Sequence, residues 1–109
     1  MSWQQIGSDI DGEASYDYSG DIWQLSLSGN GSVVAIGAPY NDGNGLQSGH
    51  VRIYQNVNNT WTQVGSDIDG EAADDQSGIS VDLSSDGSII AIGARYNDEN
   101  GSTFSKYIS

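Results

Sequence analysis

Trp3-Gln-Gln-Ile-Gly-Ser-Asp-Ile-Asp-Gly-Glu-Ala14 recurs as Trp61-Thr-Gln-Val-Gly-Ser-Asp-Ile-Asp-Gly-Glu-Ala72, with ten of twelve positions identical. Chance does not produce such a match. The chain is a tandem repeat, and each residue is weighed first as a builder of that repeat. The spacing is 58 residues as far as Gly20 and Gly78, then 56 beyond a two-residue insertion, Asp21-Ile22. In the second register the stretch from Ser32 to Asp42 matches the stretch from Ser88 to Asp98. The first copy continues through Ser48-Gly-His-Val-Arg-Ile-Tyr54. In the second copy Ser105-Lys-Tyr-Ile-Ser109 stands where that segment begins, with Lys106 at the place of His50.

Each unit reads as four short strands. Trp23-Gln-Leu-Ser-Leu-Ser28 alternates apolar and polar residues, the period of a strand with one buried face. Asn30-Gly31 and Asp86-Gly87 follow at equivalent points and predict type I′ hairpin turns, whose two central residues both need positive φ. Ser32-Val-Val-Ala-Ile-Gly-Ala38 is apolar throughout, as in a strand covered on both faces. His50-Val-Arg-Ile-Tyr54 alternates again with Val51 and Ile53 inward, a polar turn runs from Asn56 to Thr60, and Trp61-Thr-Gln-Val-Gly65 supplies a fourth strand. No segment has a helical period, and Gly and Asn-Asp clusters interrupt each stretch before a helix nucleates. The expected class is all-β.

The chain has 109 residues, room for one small domain, and no cysteine, which excludes disulfides and thiolate metal sites. No apolar run approaches the ~20 residues of a membrane-spanning helix. Met1 enters the repeat at once. The expectation is therefore a chain without a signal peptide: either cytoplasmic, or a segment of a longer extracellular or cell-surface protein. Fifteen acidic residues face three basic ones, for a net charge of −12. That balance argues against nucleic acid and against anionic membrane surfaces as partners.

Two sets of residues are candidates for binding. Asp9, Asp11, Glu13 and Asp17 form an acidic loop whose twin is Asp67, Asp69, Glu71 and Asp75. Carboxylates at alternate positions followed by Gly suit a hard cation such as Ca²⁺, although the spacing is not that of an EF-hand. The same residues equally suit turn capping, through side-chain bonds to nearby N–H groups. Tyr40, Asn41 and Asp42, with Tyr96, Asn97 and Asp98, pair ring faces with amides in a way that can grip a sugar, or serve their own turns. Trp3 and Trp61 share one repeat position and read as packing anchors, and Trp23, with Ile79 as its counterpart, reads as a core position. His50 is the sole histidine, so a catalytic triad or a histidine-rich zinc centre within one chain is not available. No residue is assigned a catalytic role, and no cofactor is called for beyond the Ca²⁺ option.

Ala35-Ile-Gly-Ala-Pro39, Tyr40-Asn-Asp-Gly-Asn-Gly45 and Gly49-His-Val-Arg-Ile-Tyr54 together resemble the FG-GAP repeat of integrin-type β-propellers. Ser19-Gly20 and Ser77-Gly78 fall where that family places Phe-Gly, without the Phe, and the second copy has Arg95 in place of Pro39. The calcium-binding loop of the family is replaced by Ser28 to Gly31 and Ser84 to Gly87, so its calcium is not carried over. The resemblance implies blades of four antiparallel strands around an axis, and a role in adhesion or recognition.

Two blades cannot close a propeller, which needs about 4–8. The stretch 3–14 reads as an outer strand without its own blade. Blade one spans about 19–69, and blade two, about 77–109, lacks an outer strand. The expectation is that each chain donates its first strand to a neighbour's second blade, head to tail, until a ring closes. Three chains give six blades, the preferred count, and four give eight. The resulting expectation is a non-enzymatic interaction module that binds carbohydrate or protein. The alternatives are a glycan-active hydrolase using acidic loop residues, and a fragment of a larger repetitive surface protein.

Overall fold

The computed structural model describes residues 2–13, 19, 24–42, 45–70 and 76–94, and the backbone of 103–108. Among them there is no helix, and eight strands form two antiparallel sheets, neither closed into a barrel. The first sheet has the order β1 (Leu25–Leu27), β2 (Val33–Ala38), β3 (His50–Val57), β4 (Thr60–Gln63), with β5 (Ile68–Asp69) also pairing with β3. The second has the order β6 (Ser77–Leu83), β7 (Ile89–Ala94), β8 (Thr103–Ile108). The fourth strand of the first repeat is thus split. β4 pairs with Tyr54 to Val57, and β5 takes the other end of β3 at His50 and Val51.

Turn chemistry departs from the expectation at Asn30-Gly31 and Asp86-Gly87. Only the glycines have positive φ, 77° and 76°, so neither turn is type I′. Each loop is one turn longer, closed by Gly31 N donating to Ser28 O and Gly87 N to Ser84 O. The Asn30 and Asp86 side chains accept from the backbone N–H of Ser32 and Ser88 two residues on, the bond that makes such residues turn formers. The two-residue loop lies instead at Asn58-Asn59, between the paired Val57 and Thr60, with φ of 52° and 66° at its two residues. That is the I′ signature, delivered by the amide residue type that best tolerates it.

β8 corrects the alignment of the second copy. Thr103 pairs with Ala94 as His50 pairs with Ala38, so Ser105 stands at the place of Arg52, and Lys106 at that of Ile53 rather than His50. The connection before β8 is three residues shorter than its counterpart, which the sequence gap had hidden. All six β8 residues pair in register with β7. Residues 2–13, by contrast, hold no strand, although 3–7 repeats the sequence that carries β4.

The sheets meet face to face. Val33, Ala35 and Val51 of the first pack on Val81, Leu83, Ile90 and Ile92 of the second, with Ile53 and Ile68 at the margin. Burying each of the Val, Leu and Ile side chains is worth roughly 1.5–3 kcal/mol. At the narrow end the backbones nearly touch: a Cβ on Gly37 would stand 2.2 Å from the Gly78 carbonyl oxygen, so only glycine fits there. Polar bonds fix the offset between the sheets, Gly29 N to Ser85 O at 2.7 Å and Leu83 N to Ser26 Oγ at 3.0 Å. A parallel bridge between Gly49 and Ser77 ties the start of β6 to the first sheet.

Candidate functional site

The face of the first sheet turned away from the second carries the chain's polar cluster. Alternation along β3 places His50, Arg52 and Tyr54 on that face. Asp67 arrives from the bend between β4 and β5, and Glu13 from the N-terminal segment lying over the sheet. Arg52 Nε donates to Asp67 Oδ1 at 2.8 Å and Arg52 Nη2 to Asp67 Oδ2 at 3.0 Å, a bidentate fork. The same Nη2 donates to Glu13. Gln63 Nε2 donates to Asp67 at 2.7 Å, and the buried Asn41 donates to Glu13 Oε1 at 2.9 Å through Nδ2.

These contacts set the protonation states. The Arg52 hydrogen bonds hold the Asp67 carboxyl down at about 2, well below the ordinary 3.8. Asn41, ahead of the Arg52 charge, lowers Glu13. Burial pushes His50 below its ordinary value, helped by the adjacent Arg52 charge, so it is neutral at pH 7. Glu13, His50 and Asp67 each offer one atom within 4.8 Å of the others. The guanidinium already satisfies both carboxylates, so a metal ion would have to compete with it.

The acidic loops expected to act as twins are therefore used differently. Asp67 is tied to Arg52; Asp69 pairs with His50 within the sheet. Asp9 and Asp11 are exposed, Asp9 accepting from Gln5 Nε2 at 2.9 Å. Asp17, Glu71 and Asp75 lie outside the described residues. In the second cluster, Asn41 is buried and holds Glu13, Asp42 Oδ1 accepts from Gln47 N at 2.9 Å, and Tyr40 is half-buried beside them. Their copies Tyr96, Asn97 and Asp98 lie outside the described residues. Sequence reasoning passed over Arg52, and a signal was there to find: it is one of three basic residues, set mid-strand in an acidic chain.

The Arg52–Asp67 pair has a pH signature. Asp67 holds its proton less tightly folded than unfolded. Its contribution is complete above pH ~4 and is lost as pH falls through about 2. With the Asp67 side chain 30% exposed, solvent trims that contribution to about 1 kcal/mol. Arg52→Met is expected to remove this acid limb, measured as urea-unfolding free energy at pH 2, 3, 4 and 6. An unchanged limb would assign it to other acids.

Comparison with protein-family models, curated proteins and solved structures finds no match to this chain. The functional reading rests on its own residues.

Proposed function

We propose that the chain is a non-enzymatic interaction module: two blades of a β-propeller that associate head to tail with further copies into a ring. What supports the reading is a comparison of equivalent positions. Leu25 and Leu27, on the outward face of the first sheet, are 57% and 59% exposed; their repeat equivalents Val81 and Leu83 are each 9% exposed, packed between the sheets. The mirror case holds on the second sheet, where Ile89 is 39% exposed and its equivalent Val33 is 9%. β2 is covered on both faces and β7 on one, although Val-Val-Ala-Ile-Gly-Ala and Ile-Ile-Ala-Ile-Gly-Ala are nearly the same sequence. The two open faces are thus the two halves of an interface the chain already makes internally. Joining them between copies repeats that interface, a heterologous contact that gives a ring when its rotation closes.

In such a ring residues 3–7 add to the open edge of a neighbour's β8 as Trp61 to Gly65 follow β3, making the fourth strand of that blade. Three chains make six blades and four make eight. The exposed positions compared above, Leu25, Leu27 and Ile89, are apolar, and an unpaired sheet edge beside them invites another strand. The ligand class is glycan or protein, on the strength of the FG-GAP resemblance. The hydrolase alternative asks for a pair of working carboxylates. Among the described residues the two that converge, Glu13 and Asp67, both face Arg52. A repeat of a longer array would cover the same faces in cis.

Absolute mass in solution tests the assembly, by light scattering on a sizing column. A sharp species of three or four chains is expected, and removal of residues 1–9 should leave monomers or aggregate. A monomer from the intact chain, or an unchanged oligomer after the deletion, would overturn the reading. A glycan array run beside a hydrolase panel separates binding from turnover.

A further inference from the structure

We infer that the cleft between the two sheets is a socket for Trp3 of a second copy of this chain. The proposal rests on the self-assembly reading above and names the contact that locks it. Where the sheets diverge they leave a cleft of about 440 Å³, walled by Val33, Ile53, Val64 and Ile68 on one side and by Leu83 and Ile90 on the other, with Gly65 in its lining. Trp3 is 93% exposed.

The repeat supplies the occupant. Trp61, the equivalent of Trp3, lays its indole against Ile6 and Gly7: Nε1 donates to the Ile6 carbonyl at 2.9 Å, and Cδ1 lies 2.9 Å from where a Gly7 Cβ would be. The equivalents of Ile6 and Gly7 are Val64 and Gly65. Gly65 has the same backbone conformation as Gly7, φ 72° against 74°, but among the described residues nothing lies within 4 Å of its Cβ position. An indole fills the space over Gly7, and the matching space over Gly65 is open and opens into the cleft. Trp61 cannot fill both. With residues 3–7 of a second copy lying along β8, its Trp3 reaches Val64 and Gly65 as Trp61 reaches Ile6 and Gly7, its N–H donating to the Val64 carbonyl.

Buried tryptophans ringed by apolar side chains carry a large share of association energy, and truncating one commonly weakens binding by about 30-fold or more. Trp3→Ala is expected to raise the concentration of half-dissociation by at least that factor, with Trp3→Phe falling between it and the parent. Because Trp3 is exposed in the protomer, neither change threatens the fold. The direct readout is ¹⁹F NMR on the full chain carrying 5-fluorotryptophan. The Trp3 resonance is assigned by its loss in Trp3→Phe, and its broadening by a soluble nitroxide is followed from dilute to concentrated protein. In the assembled species it should become as protected as the Trp61 resonance. An oligomer in which Trp3 stays fully accessible would overturn the socket and leave self-assembly standing. A chain monomeric at all concentrations would remove both.

Discussion

Gly37→Ala is expected to lower the stability of the protomer by roughly 3 kcal/mol, seen as a fall in melting temperature of roughly 12–20 °C. The added methyl has nowhere to go. It would stand 2.2 Å from the carbonyl oxygen of Gly78 and 3.1 Å from its Cα, and both belong to backbone rather than to a side chain that can rotate away. Relief requires β2 and β6 to move apart, which loosens the contacts of Ala35, Val51 and Val81 beside them. Gly93, the repeat equivalent of Gly37, is the control. A Cβ there meets the Ser80 hydroxyl, the end of a small side chain with freedom to turn, so Gly93→Ala should cost the protomer much less. In the proposed ring Gly93 faces the next copy as Gly37 faces Gly78, and the same change should then weaken assembly. Thermal melts on dilute protein, where each chain is counted alone, measure the first effect. Equal losses for the two variants would mean that the sheets do not rely on that close approach.

The contrast between Gly37 and Gly93 marks how far the sequence could be read. Strand positions were legible because period-2 alternation and the repeat fix them twice over: β2, β3, β6 and β7 lie where the apolar runs predict. Turn type was less legible. Asn-Gly is the favoured pair for a two-residue hairpin, but Ser28 and Ser84 cap the following strands by accepting from Val33 N and Ile89 N through their hydroxyls, lengthening both loops. Asn58-Asn59 lacked the glycine that signals a tight turn and made one all the same. The polar cluster was half legible. Its acids stood out by repetition, whereas Arg52 has no copy in the second unit. Recurrence marks the acids and leaves out the residue that organises them. The conformation of residues 3–7 was the least legible, because a strand needs an edge to pair with, and in the protomer the outer edge of β3 is already taken by β4 and β5.

Leu27→Arg and Leu83→Arg, the same substitution at equivalent positions, should have opposite consequences. Leu83 is part of the core between the sheets. An arginine there buries an unpaired charge, and the protomer should lose its cooperative unfolding transition altogether. Leu27 is exposed in the protomer, so its replacement should change protomer stability by no more than about 0.5 kcal/mol. If copies join through this face, however, Leu27 meets the environment that Leu83 meets, and the variant should stay monomeric where the parent assembles. Arginine is the informative choice on electrostatic grounds. Each copy carries a net charge of −12, so copies repel one another, and added salt should tighten assembly by screening that repulsion. A positive side chain lessens the repulsion and on charge alone would favour association. Loss of assembly in Leu27→Arg can then come only from packing and desolvation, the lost leucine contact and the cost of burying the guanidinium against apolar surface, and not from charge repulsion. The loss of one leucine contact at roughly 1.5–3 kcal/mol, with that desolvation added, corresponds to at least ~100-fold weaker association at each junction. Light scattering across a dilution series reads the result directly. Assembly of Leu27→Arg at the parent's concentration would mean that the outward face of the first sheet takes no part in the contact.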